Sequence, residues 1–441
     1  MAKKKAVTYL EAAETWPELT PAQRVTLLKK LPPEVGTEFF LDLSSPDQLA
    51  VLLKMPPGER RPWIRMLAPD DLADILQAAG PEVQPLLGLL DEPTRASVTA
   101  LLAYAEDEAG GLMNPKYIRV RPDMTAAEAL SYFRRQAQER TGHETPTFAY
   151  ALAADERLLG EVHLTDLVAA DPGTSVAQLM HAPAVTLSEG TDQEQIAHLF
   201  AEHKLSAAPV VDDQGRMKGV VTADDVVVVV EEEATEDIQK LGGSEALDMP
   251  YLKTSLLGMV KKRAGWLGTL FLGEMLTATA MARFENEIAR AVVLALFVPL
   301  MISSGGNSGS QASTLVIRAM ALGEVRLRHW GRVLRREAGA GFLLGCVLAL
   351  IGLLRILIWQ YASGIYGEHY LSIAATVCLS LIGIVMWGTI SGSMLPFVLR
   401  KFGLDPASAS APFVATLVDV TGLVIYFSVA FLILRGTLLR G

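Results

Sequence analysis

Apolar positions follow three regimes along this chain. Over the first hundred residues they come as short clusters, such as Leu27-Leu28, Leu52-Leu53 and Leu86-Leu87, set between prolines at 21, 33, 46, 57, 69, 81 and 93. Proline suits the first turn of a helix, where its missing N–H had no partner to lose. The spacing predicts helices of one to three turns, stacked as a superhelical or right-angled array; an ordinary bundle with proline-opened helices fits the same pattern. From about 112 to 233 the pattern repeats once. Leu112-Met113-Asn114-Pro115 is echoed by Leu179-Met180-His181-Ala182-Pro183, and Gly160-Glu-Val-His-Leu-Thr-Asp166 by Gly219-Val-Val-Thr-Ala-Asp-Asp225. In each copy two strands lead to an Asp that opens a helix, where a carboxylate caps free amides. Five apolar runs follow, about 264–282, 287–320, 338–361, 371–399 and 412–436. Each reaches the ~20 residues that a spanning helix needs.

Charge divides the chain in the same place. Residues 1–260 carry 23 Lys+Arg against 41 Asp+Glu, whereas 261–441 carry 16 against 8, so the overall −10 hides an acidic first half and a basic-edged second half. An acidic body of that size repels nucleic acid and attracts cations. Basic clusters (Lys261-Lys262-Arg263, then Arg326 to Arg336, then Arg400-Lys401) alternate with loops that have little positive charge. The positive-inside rule then places the N-terminus in the cytoplasm and the C-terminus outside. The first residues hold lysines but no apolar core, so a signal peptide is not expected. Cys346 and Cys378 both lie inside apolar runs and imply no disulfide.

Candidate chemistry concentrates in the membrane half. Asp419 is the lone acid of the last run, and a carboxylate at that depth costs about 2.5–3.5 kcal/mol on insertion scales. Such a group is kept where it faces a wet pore or a partner. The rival to a pore is a pairing with Arg355, the one strongly basic residue inside the third run, and a second intramembrane acid, Glu274, stands in the first. The second run turns polar at Ser303-Ser-Gly-Gly-Asn-Ser-Gly-Ser-Gln-Ala-Ser-Thr314, a stretch that lipid cannot hydrate. Pro299, Gly305 and Gly306 are expected to loosen its helix and free carbonyls. The related Gly388-Thr-Ile-Ser-Gly-Ser393 reads as small-residue packing. Between the halves, Glu231 to Asp248 is a charged helical segment in which Glu233, Glu236 and Asp237 share a face. Like charges so placed are a solvated face or the wall of a cation site.

The repeated segment resembles a tandem pair of CBS domains. That resemblance implies a nucleotide ribose bound by Gly-x-x-Thr/Ser-x-x-Asp, present here as Gly219, Thr222 and Asp225. The first copy has His163 at the hydroxyl position, which argues against a site there; Asp166 and Asp225 also serve as helix caps. Gly305-Gly306-Asn307-x-Gly309-x-Gln311, Pro412-Phe-Val-Ala-Thr416 and Asp419-Val-Thr-Gly422 resemble the signature of the MgtE family of magnesium channels and transporters. This resemblance implies a multidomain homodimer. Its parts are an all-α superhelical N-domain (1–110), an α/β pair of CBS domains (111–172 and 173–233), an acidic connecting helix (234–260) and an all-α transmembrane domain of five helices (261–441). It further implies a pore at the subunit interface, with Asp419 holding a hydrated Mg²⁺ aided by the backbone of Ala415 and Ala411. Gly305, Gly306, Asn307 and Gln311 are then pore-lining. The cytoplasmic acids Asp212, Asp213, Asp224, Asp225, Glu233, Glu236, Asp237 and Asp248 are implied to bind Mg²⁺ and close the pore, and the CBS pair to take ATP or another adenine nucleotide. A hydrated ion suits one or two carboxylates, because Mg²⁺ sheds water reluctantly.

Two other classes were weighed. A Na⁺- or H⁺-coupled exchanger would use Glu274. A membrane-embedded enzyme lacks its usual marks: the closest approach to a zinc-protease motif is Gly367-Glu368-His369-Tyr370, and no phosphate-loop lysine or nucleophile elbow occurs. Transport of Mg²⁺ across the cell membrane, without enzymatic activity, is the expectation.

Overall fold

The computed structural model describes residues 8–138, 146–247, 249, 251–252, 254–285, 288 and 292–435. The chain forms two compact units, Met1–Glu231 and Glu232–Gly441. The first begins with short helices whose starts follow the prolines. Pro21, Pro33, Pro57 and Pro69 each open a helix, Pro46 and Pro93 occupy second positions, and Pro81 sits in a three-residue helical turn. Alternate helices stack: Pro21–Leu28 on Ser45–Lys54, Ser45–Lys54 on Pro69–Ala78, and Pro69–Ala78 on Glu92–Leu101. That alternation marks a superhelical array. Phe40, Leu52, Ile64, Leu72, Leu76, Leu86 and Val98 form its continuous core.

The repeat that follows folds as two equivalent three-stranded sheets. Strands β1 (Arg119–Val120), β2 (Phe148–Leu152) and β3 (Leu158–His163) make one; β4 (Leu187–Ser188), β5 (Ala207–Val211) and β6 (Met217–Thr222) make the other. In each, the first pair is parallel and the second antiparallel. Register places Phe148 opposite His163 and Ala207 opposite Thr222, so His163 is the structural counterpart of Thr222. The echoed Met-containing segments are straps that cross between copies. Asn114, before the first sheet, pairs with Val220 of the second, and His181 pairs with Glu161 of the first. This explains the repeated glycines. A Cβ on Gly219 would lie 2.7 Å from Met113, and one on Gly160 would lie 2.8 Å from the His181 carbonyl.

In the second unit, four stretches among the described residues are long and apolar enough to cross a membrane: Val292–Ala321, Leu327–Ser363, Tyr370–Lys401 and Ala411–Leu434. The first expected span lies within a continuous helix of 28 residues, Leu256–Arg283, long enough at about 42 Å. Its composition falls short, because Gly265, Gly268, Gly273, Glu274, Thr277 and Thr279 dilute the apolar run. The structure corrects a second expectation. Pro299 and Gly305-Gly306 do not break their helix, which runs unbroken from Val298 to Ala321. Pro299 sits in the first turn, where no donor is needed, and the glycines serve close approach.

That approach is a ladder. A Cβ on Gly388 would lie 2.5 Å from the Gly305 carbonyl, and one on Gly392 would lie 2.0 Å from the Gly309 carbonyl. Spaced by four on each helix, these glycines press the Val298–Ala321 and Tyr370–Lys401 backbones together, as small residues permit in a bilayer. Gly305 and Gly309 also accommodate Val418 and Val414 of the last helix.

Candidate functional site

Asp419 lies half-buried in the last helix, Ala411–Leu434, on the same face as Ala415 and Ala411 one and two turns earlier. The facing surface is Gly306. A Cβ there would come within 3.3 Å of the Ala415 side chain and 3.6 Å of Asp419 Oδ1, so the glycine lets the two helices approach closely beside the carboxylate. Ser303, Asn307 and Gln311 follow one another at four-residue spacing on the exposed side of that glycine helix, and Asn307 donates from Nδ2 to Ser303 Oγ at 3.3 Å. An acid, a glycine and an exposed polar stripe thus meet at two packed helices. The start of the last helix is tied down by serines: Ser310 Oγ donates to the Ala411 carbonyl at 3.0 Å and Ser313 Oγ to the Ala409 carbonyl at 2.8 Å. The Ala411 carbonyl, at the start of the helix, therefore accepts from Ser310 in addition to the helical amide four residues on.

Arg355 is not the partner of Asp419. Its guanidinium lies over the rings of Phe297 and Trp359, at 5.7 and 5.5 Å. The acid that lies near Asp419 is Glu274, on Leu256–Arg283. The two helices close on one another at Gly273, where a Cβ would lie 2.8 Å from Thr416. The sequence shows Glu274 as a second intramembrane acid; only the crossing of two helices distant in the chain brings it to Asp419.

The cytoplasmic acids have several surroundings. Asp212 caps the turn between β5 and β6 and pairs with Arg216 at 2.8 Å and Lys218 at 3.5 Å. Desolvation opposes its ionisation, but hydrogen bonds from the Arg216 amide, the Arg216 side chain and the Gln214 amide outweigh it and hold the carboxyl down at about 2. Asp213 follows it in the same turn, and Asp224 and Asp225 stand in the first turn of the helix Ala223–Leu241. Glu233, Glu236 and Asp237 lie farther along that helix, where Lys240 bridges Glu236 and Asp405, the latter at 2.6 Å. Asp405 also caps the turn Pro406–Ser408 that leads into the last helix. Burial, then the charges of Asp405 and Glu233, push the Asp237 carboxyl up to about 6, with Lys240 pulling the other way. Asp248 lies outside the described residues. Among the described residues no three acids, histidines or cysteines are grouped as a metal site. The Lys240–Asp405 contact was missed, although a lysine inside an acidic run is a visible signal.

A cleft of about 520 Å³, including the solvent at its mouth, opens between the two sheets. Tyr117, Phe148 and Tyr150 line one side; Ser206, Ala207, Val220, Thr222 and Asp224 line the other. Thr222 Oγ1 donates to Asp225 Oδ2 at 2.8 Å, which orients the hydroxyl at the cleft floor. Asp225 therefore acts through Thr222. In the other copy His163 Nδ1 accepts from the Thr165 amide at 3.2 Å and caps the following helix, leaving no hydroxyl at that position. The aromatic wall was not foreseen, because it comes from the opposite copy.

Three family models cover most of the chain: an intracellular N domain of MgtE at residues 8–107, CBS domains at 109–173 and 176–232, and a divalent cation transporter model, MgtE, at 298–429. The chain is 42% identical to the magnesium transporter MgtE of Thermus thermophilus over 96% of its own length and 92% of that protein's. It is 28% identical to the Bacillus subtilis magnesium transporter MgtE over 94% and 89%. Among solved structures it is similar to the cytosolic domain of the Mg²⁺ channel MgtE in complex with ATP, at 40% identity and a TM-score of 0.47, covering 51% of this chain and 90% of that one. With its helical N-domain, paired CBS domains and apolar helical C-terminal half, this chain belongs to the MgtE family of divalent cation transporters.

Proposed function

We propose that this protein conducts Mg²⁺ across the cell membrane through a pore lined by Asp419, at the interface of a homodimer of five-span subunits. The observation that carries the reading is the half-buried carboxylate of Asp419 facing Gly306 and flanked by the exposed polar stripe of Ser303, Asn307 and Gln311. A single carboxylate that is not sealed from solvent suits a hydrated divalent ion, which keeps most of its shell. The domains divide at about 110, 172, 233 and 260, the N-terminus is cytoplasmic and the C-terminus outside, as the basic loops require. Cytosolic Mg²⁺, binding among Glu233, Glu236, Asp237 and the acids of the CBS pair, closes the pore by favouring the arrangement that draws these charges together. Lys240, between Glu236 and Asp405, offsets one pair of these charges.

The cleft at Thr222 takes an adenine nucleotide such as ATP: aromatic rings flank the base, and the oriented hydroxyl meets the ribose. Thr222→Val should weaken ATP binding about fivefold in equilibrium dialysis, the worth of one hydrogen bond; unchanged affinity contradicts this assignment.

The proximity of Glu274 to Asp419 favours a second reading, proton-coupled exchange. Mg²⁺ uptake into proteoliposomes under a Mg²⁺ gradient alone separates the two. The channel reading predicts uptake with no Na⁺ or H⁺ gradient; uptake that appears only when one is imposed contradicts it.

A further inference from the structure

We propose that Arg355 and Trp359 form a docking point for the phosphodiester headgroup of a membrane phospholipid. The inference goes beyond ion conduction but rests on the Trp330–Ser363 helix spanning a bilayer. Four facts support it. First, Arg332, Arg335 and Arg336 mark one water boundary of that helix, and Arg355 lies nineteen residues past Arg336, about 28 Å of helical rise. The hydrocarbon core is about 30 Å thick, so Arg355 stands at the opposite boundary, within snorkelling reach of phosphates. Second, among the described residues no carboxylate forms an ion pair with Arg355; two aromatic rings hold it instead. Its planar donors meet no acid among the described residues, and a phosphate is the matching fork-shaped acceptor that a bilayer supplies at this depth.

Third, the same helix face is apolar above and below. Ile351 and Ile358 are 57% and 58% exposed, which gives acyl chains a surface directly beside the charge. Fourth, Trp359 is half-exposed and Tyr361 almost fully so, the aromatic belt expected where a span leaves the hydrocarbon. Stacking over Phe297 and Trp359 fixes the guanidinium in advance, so little rotamer freedom is lost when a headgroup arrives.

The test is a thermal-shift titration of the purified full-length protein in detergent with phosphatidylglycerol. Diacylglycerol with the same acyl chains and free glycerol phosphate serve as controls. Phosphatidylglycerol should raise the melting temperature of the wild type, and neither control should match it. R355Q should bind the lipid about fivefold more weakly, the effect of one basic side chain near a charged membrane surface; R355K should lose less. Equal affinity of R355Q and wild type overturns the proposal, as does a diacylglycerol or glycerol phosphate response equal to that of the lipid. If R355Q is lost during purification, W359L keeps the charge but removes its platform, and an unchanged titration in folded W359L is equally contradictory. D419A should keep the full lipid response, so failure of the headgroup site and failure of the pore reading are seen separately.

Discussion

At the scale of single residues, the glycines of this protein do two different jobs, and the structure separates them. A Cβ at Gly392 would lie 2.0 Å from the Gly309 carbonyl, where backbone cannot give way. A Cβ at Gly306 would meet the Ala415 methyl at 3.3 Å and Asp419 at 3.6 Å, contacts that a helix absorbs with a small shift. Gly392→Ala should therefore destabilise the membrane half by roughly 3 kcal/mol or more, the upper end for overpacking. Gly306→Ala should fold with nearly wild-type melting but lose most Mg²⁺ uptake, because the methyl crowds Ala415 and shifts the helix that carries Asp419. Melting and uptake measured on both variants check the pair; full uptake in Gly306→Ala removes its role. Asp419 was legible in the sequence because one acid in a long apolar run has few explanations. Gly306 was legible as a helix-loosening glycine and, through the resemblance, as a pore-lining one, but its place opposite Ala415 was not. Arg355 looked like a partner for Asp419 on charge alone, and the rings of Phe297 and of Trp359, one turn away on its own helix, decided otherwise.

At the scale of elements, pattern predicted existence better than connection. Proline spacing announced the short helices and echoed motifs announced the paired sheets. The crossing of the Asn114 and His181 straps to the opposite sheets was invisible, because nothing local distinguishes a strap that folds back from one that crosses. The expected break at Pro299 did not occur, since the proline falls in a first turn. One contact of this kind ties the helical array to the second sheet: Tyr104 donates to Glu189 next to β4. Burial, then that hydrogen bond, push the Tyr104 hydroxyl up to about 12 from 10.0. The folded state thus keeps a proton that the unfolded chain has already lost. The sign follows: this contribution is intact below pH 10 and is lost as pH rises toward 12. Tyr104→Phe should flatten the alkaline fall in melting temperature between pH 10 and 12; an unchanged slope contradicts the assignment.

At the scale of the whole molecule, an acidic cytoplasmic half joined to a basic-edged apolar half was evident from charge counts. The regulatory acids were less so. Asp212 is spoken for by Arg216 and Lys218, a local turn role that a charge run cannot reveal, whereas Glu233, Glu236 and Asp237 cluster with Asp405 across most of the second unit's sequence. Replacing Glu233 and Glu236 by Gln and Asp237 by Asn together should raise uptake severalfold at high internal Mg²⁺ and leave it unchanged at low. Inhibition identical to wild type would reject these residues as sensors.

Conduction through this protein depends on whether the carboxylate of the last helix meets the passing ion. Mg²⁺ flux into proteoliposomes containing Asp419→Ala, at protein levels matched to wild type and with the fold verified by melting, measures that directly. Uptake at least tenfold below wild type is the expected result, about 1.4 kcal/mol of lost stabilisation along the path. Wild-type uptake in a folded Asp419→Ala protein would mean that the ion travels elsewhere.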